Sequence, residues 1–85
     1  MSPREKKIVR AILNVAHNLD GRQIEERLLH AEVNLQVTPT AGRDEFESVL
    51  EMCSTEGWMT GIAARYGGRK WNISDEGDAT RLQLK

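Results

Sequence analysis

Arg65, Arg69 and Lys70 fall within one short stretch near the end of the chain, with no acid between them. Guanidinium and ammonium groups so spaced are the side chains that pair with phosphate oxygens, and Tyr66 beside them offers a ring to stack on a sugar or base. The same charges equally suit a solvated hairpin tip that resists edge-to-edge pairing, and both readings stand. A second basic group, Lys6, Lys7 and Arg10 with Arg4, outweighs Glu5 in the first ten residues. Between the two groups lie Asp44, Glu45, Glu47, Glu51 and Glu56, countered only by Arg43. That acidic set suits either a solvated helix face or a surface for a basic protein partner.

Other chemistry finds little footing. Cys53 falls on an apolar stripe and reads as an inert buried thiol. His17 and His30 have no cysteine or carboxylate at metal-ligand spacing, so no metal site and no cofactor are expected. Gly67-Gly68 is turn chemistry rather than a phosphate cradle. No nucleophile elbow, P-loop or paired carboxylates are visible, and catalysis is not expected. The 85 residues form one expected domain, 1–85, whose 39 % hydrophobic and 29 % charged content is that of a globular protein. The net charge of −1 gives no global pull toward nucleic acid, so patch placement decides. With no apolar run of the ~18 residues that cross a bilayer, no signal peptide and one cysteine, the expected compartment is the cytoplasm, with no membrane contact.

The elements that must position these residues are legible in part. Ser2 as N-cap, Pro3 at the first helical position and Glu5 reaching back predict a helix over about 3–18, with Ile8, Ile12, Val15 and Leu19 as its buried stripe. Asp20 with Gln23 three positions on predicts the cap of a second helix, whose stripe would be Ile24, Leu28 and Ala31, extended by Leu35. The alternation of Val33, Leu35 and Val37 allows a short extended exit instead. After Thr38-Pro39, a third helix over about 40–56 would bury Phe46, Val49, Leu50 and Cys53 and end at Gly57.

Residues 58–64 and 69–73 then read as two strands joined by a turn at Tyr66-Gly67-Gly68. Trp58, Thr60, Ile62 and Ala64 share one face of the first strand, and Trp71 and Ile73 share one on the second. The faces bearing the tryptophans are expected to cover the helices. Ser74 would cap a last helix that turns Ala79 and Leu82 inward.

Three helices and a hairpin in this order, with Leu50, Gly57, Trp58 and Met59 before the hairpin and Ile73, Ser74 and Gly77 after it, resemble the winged helix-turn-helix superfamily, including small bacterial or phage DNA-binding regulators. The resemblance spans nearly the whole chain. It implies an α+β winged helix with a two-stranded wing and a short C-terminal helix. It also implies duplex DNA as partner, in a transcriptional regulator or mobile-element accessory, and a homodimer formed through the first helix, the closing helix or a strand edge. Arg65, Arg69 and Lys70 with Tyr66 would then lie on the backbone, assisted by Lys6, Lys7 and Arg10 and by Arg43. Helix three departs from the pattern, showing Asp44, Glu45 and Glu47 where groove-reading helices carry amides and cations. The alternative is a protein-interaction adaptor presenting that acidic helix.

Overall fold

The computed structural model describes residues 1–65 and 68–84. In chain order these form α1 (Pro3–His17), β1 (Ile24–Glu25), α2 (Glu26–Val33), α3 (Arg43–Thr55), β2 (Met59–Ala63), β3 (Arg69–Ile73) and α4 (Asp75–Gln83). The strands make one antiparallel sheet in the order β1-β3-β2, so the architecture is α+β. The predicted turn at Tyr66-Gly67 lies outside the described residues.

Helix α1 starts as its sequence dictates. Ser2 Oγ accepts from Glu5 N–H at 3.1 Å while Ser2 N–H donates to the Glu5 carboxylate at 3.0 Å. Two donors that no helical turn can satisfy are thereby satisfied reciprocally. The helix packs on α2, α3, α4 and β3. It buries Ile8, Ile12 and Val15 of the expected stripe and also Ala11 and Leu13, because neighbours surround it on several sides, whereas Leu19 falls beyond the helix and is half-buried.

The second helix begins later than expected. Asp20 and Gly21 take positive φ, 54° and 84°, and form a left-handed turn after α1 rather than a helix cap. The chain then runs extended so that Ile24 pairs with Trp71 and Glu25 with Lys70 in β1. Helix α2 therefore starts at Glu26, with no side-chain cap. The predicted stripe is also displaced. Leu29 and Val33 face the core, while Leu28 is 53 % and Leu35 80 % exposed and Ala31 is exposed too. Ile24 is buried, but as a strand residue.

Helix α3 starts at Arg43, three residues after the expected point, because Ala41 is held in the preceding loop. Its N–H donates to Asn34 Oδ1 at 2.8 Å, and its carbonyl accepts from Asn34 Nδ2 at 3.0 Å. His30 Nε2 reaches the same carbonyl at 2.8 Å, and its ring stacks on Phe46. At the other end Gly57, at φ 79°, supplies the left-handed residue that stops α3, and Trp58 N–H returns to the Cys53 carbonyl at 2.9 Å.

The returning strand covers the helices with the expected face, that of Trp71 and Ile73, whereas β2 turns in the face opposite to the one predicted. Met59 pairs with Ile73 and Gly61 with Trp71, and these four share the inner side. Thr60 and Ile62 point outward with Asn72 and Lys70. The missing side chain at Gly61 explains the choice: a Cβ there would come within 2.8 Å of the Trp71 ring, which fills that space and is fully buried. Trp58 precedes the strand and is half-buried against the core.

Helix α4 is seated by its first turn. Gly77 N–H donates to Ser74 Oγ at 3.0 Å, and Ser74 N–H to the Trp58 carbonyl at 3.0 Å. Gly77 packs so closely on Trp58 that a Cβ would collide with that carbonyl. Ala79 and Leu82, expected inside, are exposed, because Gly77 rather than an apolar stripe makes the contact. No helix among the described residues is long and apolar enough to cross a membrane.

Candidate nucleic-acid interface

Arg69 leads the returning strand, and its alternation turns the side chain inward with Trp71. There it meets two helices at once. Arg69 Nε donates to Glu26 Oε1 at 3.1 Å, and its Nη2 pairs with Glu26 and with Glu51. Trp71 Nε1 donates to the same Glu26 oxygen at 2.9 Å. The guanidinium also lies 4.7 Å from the centre of the Trp71 ring. The hydrogen bond that Arg69 donates to Glu51, then the charges of the nearby carboxylates, hold the Arg69 pKa above its ordinary value. Arg69 is thus the tie between α2, α3 and the hairpin.

Arg65 and Lys70 stand further out and are exposed. They line a trough of about 520 Å³ between the hairpin and the start of α2, whose walls include Glu25, Glu26 and Arg27. A second trough continues from Arg27, Glu26 and Gly68 past His30 and Phe46 to Arg43 and Glu47 at the start of α3. Four cations from three elements, Arg27, Arg43, Arg65 and Lys70, therefore border one continuous surface. Arg27 was not singled out by sequence, where it reads as one charge among Arg22, Glu25 and Glu26 on a solvated face. Only the pairing of β1 with β3 sets the start of α2 against the hairpin. Tyr66 lies outside the described residues.

Lys6, Lys7 and Arg10 are exposed on α1, along a different margin of the molecule. They border a cleft with Leu84 beyond α4, and Lys7 and Arg10 border another with Gln36 and Thr38 before α3. Arg4, one turn earlier, grips Glu45 with Nε and Nη2 at 3.0 Å each and touches the Thr40 carbonyl at 3.3 Å. That bidentate pair holds the Glu45 carboxyl below its usual pKa and raises that of Arg4.

The acidic helix is correspondingly less bare than its sequence. Glu45 meets Arg4, Glu47 meets Arg43 at 3.0 Å one turn away, and Glu51 meets Arg69. Three of the carboxylates on α3 thus fix arginines from α1, α3 and the hairpin. Cys53 is fully buried, and desolvation pushes its thiol up to about 12, so it is not a nucleophile. His30 is engaged by Ala41 and Phe46, and His17 Nδ1 meets Asp78 at 2.8 Å, joining α1 to α4.

No family model matches the chain, and no curated protein is similar to it. Among solved structures, it is similar to the PcaV transcriptional regulator from Streptomyces coelicolor, determined in complex with that protein's natural ligand. The superposition gives a TM-score of 0.70 at 20 % sequence identity and covers 99 % of this chain. The fold is a winged helix. The chain spans about half of the regulator's length, 52 %, so the likeness concerns this domain's architecture. In that architecture α2 and α3 form the helix-turn-helix, and β2 and β3 form the wing. The Asn34 and His30 contacts to Ala41 fix the turn between the two helices.

Proposed function

We infer that the protein is a winged-helix DNA-binding domain of the regulator type, docking on duplex DNA through its wing and the starts of α2 and α3. The observation that carries this reading is the continuous surface bordered by Arg27, Arg43, Arg65 and Lys70. Cations from three elements converge there and, with Arg69, outnumber the carboxylates Glu25, Glu26 and Glu47 that line the same troughs, although the chain as a whole is slightly acidic. Arg65 and Lys70 take phosphates, and Arg27 and Arg43 extend the row toward α3. Arg69 acts from behind by fixing the wing. Lys6, Lys7 and Arg10 assist on flanking phosphates through α1.

The carboxylates of α3 bear on both functional readings. An adaptor presenting acids to a basic partner needs them unengaged, whereas Glu45, Glu47 and Glu51 are already held by arginines. Internal pairing also reduces the repulsion they would exert on phosphates, although Arg43 must then share its guanidinium between Glu47 and the DNA. Affinity rests on a few phosphate contacts and is accordingly weak and steeply salt-dependent.

Fluorescence anisotropy with a labelled duplex tests the proposal. Wild type binds at low salt, and each of Arg27→Ala and Lys70→Ala lowers the slope of log K against log salt by about one. Absence of binding at a salt concentration on the order of 20 mM would end it, since counterion release is then at its most favourable.

A further inference from the structure

The sheet ends in two edges of unlike character. On one side β1 is two residues long and carries the exposed Glu25. Shortness and charge are two of the devices that keep a strand edge from pairing. On the other side β2 runs Met59-Thr60-Gly61-Ile62-Ala63, five residues without a charge or a proline.

Pairing with β3 settles which backbone groups of β2 face outward. Ser74 N–H donates to the Trp58 carbonyl at 3.0 Å and Ala64 N–H to the Gly68 carbonyl at 3.1 Å. Thr60 lies opposite Asn72 and Ile62 opposite Lys70. Hydrogen-bonded and non-bonded pairs alternate along an antiparallel ladder. Thr60 and Ile62 therefore bond to β3, and the groups of Met59, a buried residue, turn the other way with those of Gly61 and Ala63; only the last two bring their N–H and C=O groups to the free edge. Both are exposed, and among the described residues no hydrogen bond engages those four groups. Between them Ile62 stands on the outer face, 48 % exposed.

We propose that β2 of one copy pairs antiparallel with β2 of a second copy, Ile62 opposite Ile62. In that register Gly61 of each chain exchanges both backbone bonds with Ala63 of the other. All four open groups of each edge are then used. The two isoleucines meet at the non-bonded position, where Cα atoms approach to about 4.5 Å and side chains pack most closely. On the inner side Gly61 and Ala63 come together at the centre, where neither is large enough to clash, and Met59 falls opposite Arg65 of the other copy at each end. No charge on either β2 faces a like charge. A foreign strand satisfies the same backbone groups, but self-pairing also covers Ile62 with its equivalent, as an isologous contact requires. The product is one continuous six-stranded sheet, β1-β3-β2-β2-β3-β1. Four backbone bonds and one apolar pair make a small interface, with a dissociation constant on the order of 10⁻⁴ M. The inference does not depend on DNA binding.

Sedimentation equilibrium of the full chain without DNA, over a range of concentrations, tests it. Wild type self-associates, and Ile62→Lys and Ile62→Glu each weaken association by about tenfold by setting like charges opposite one another. An equimolar mixture of the two variants recovers it, which a general loss of folding would not allow. In wild type the Gly61 and Ala63 amides exchange more slowly as concentration rises, a measurement that decides the matter even where a variant folds poorly. Association of Ile62→Lys equal to wild type, or no recovery on mixing, overturns the proposal. So does a wild type that stays monomeric up to about 1 mM, an outcome that would leave the edge to an extended segment of another protein.

Discussion

Around α1 the protein is held by apolar area, and at the root of the wing it is held by directed polar contacts. Ile8, Ile12 and Leu13 on α1 meet Leu29 of α2 and Leu50 of α3 with no exposure to solvent at any of the five. The wing has Trp71 in that interior, but its attachment to the helix-turn-helix runs through Glu26, Arg69 and Glu51, whose side chains are 22 %, 37 % and 53 % exposed. Buried area acts without direction and is indifferent to ionic strength, whereas partly solvated ion pairs are directional and screened. The helical part is therefore set rigidly, while the orientation of the wing responds to salt and to competing anions such as phosphates.

The largest expected effect lies on the apolar side of the comparison. Leu13→Ala removes a fully buried side chain and lowers stability by about 3 kcal/mol, equally at low and high salt, in denaturant unfolding. Arg69→Met keeps apolar bulk beside Trp71 but leaves Glu26 and Glu51 without their shared cation. It costs about 1 kcal/mol at low salt and less at high salt. A loss that ignores salt would show that the wing root is held by packing, and the contrast would vanish.

A smaller effect appears in the acid limb of the stability curve. Glu45 has its folded pKa depressed by Arg4, and Glu5 has its own depressed by the backbone and hydroxyl of Ser2. A depressed carboxyl contributes stability above its unfolded pKa and loses it as pH falls through the folded value. Thermal unfolding from neutral pH downward is therefore expected to show a shallower acid decline in Glu45→Gln than in wild type. Identical curves would remove the Arg4 pair from the account. The smallest effect is Leu28→Ala, within about 0.5 kcal/mol of wild type because the side chain is already in water. Its neighbour Leu29 sits on the core side, and Leu29→Ala should cost several times as much.

Leu28 and Leu29 also show where reading the sequence stops. Spacing reveals that α2 carries apolar residues at helical intervals, and two overlapping stripes satisfy that spacing. Which stripe is buried depends on where the helix starts, and that depends on Ile24 being drawn into β1 by Trp71. A two-residue strand has no period of its own, so nothing local announces it. The hairpin repeats the lesson. Both strands were legible from alternation, but alternation gives two faces without ranking them. The bulk of Trp58 pointed to one face, and the void at Gly61 that admits the Trp71 ring selected the other. Of the candidate surface the sequence shows the charges but not their grouping: Arg65 and Lys70 border one trough and Arg43 an adjoining one. Arg27 was passed over because its neighbours in sequence are acids and another arginine, while its neighbours in space are the wing cations.

What the chain settled by itself is whatever short-range chemistry decides. The Ser2 capping box, the stop at Gly57 and the Ser74 cap each involve residues a few positions apart, so the energy that fixes them is written in adjacent letters. The winged-helix order of elements, β1 apart, follows from those punctuation marks and the periods between them. Tertiary structure decided which face each element buries and which carboxylate each arginine meets. Arg4 with Glu45 and Arg69 with Glu26 join residues more than forty positions apart. Such pairs arise only after the elements compete for one small interior, and the outcome of that competition belongs to the whole chain.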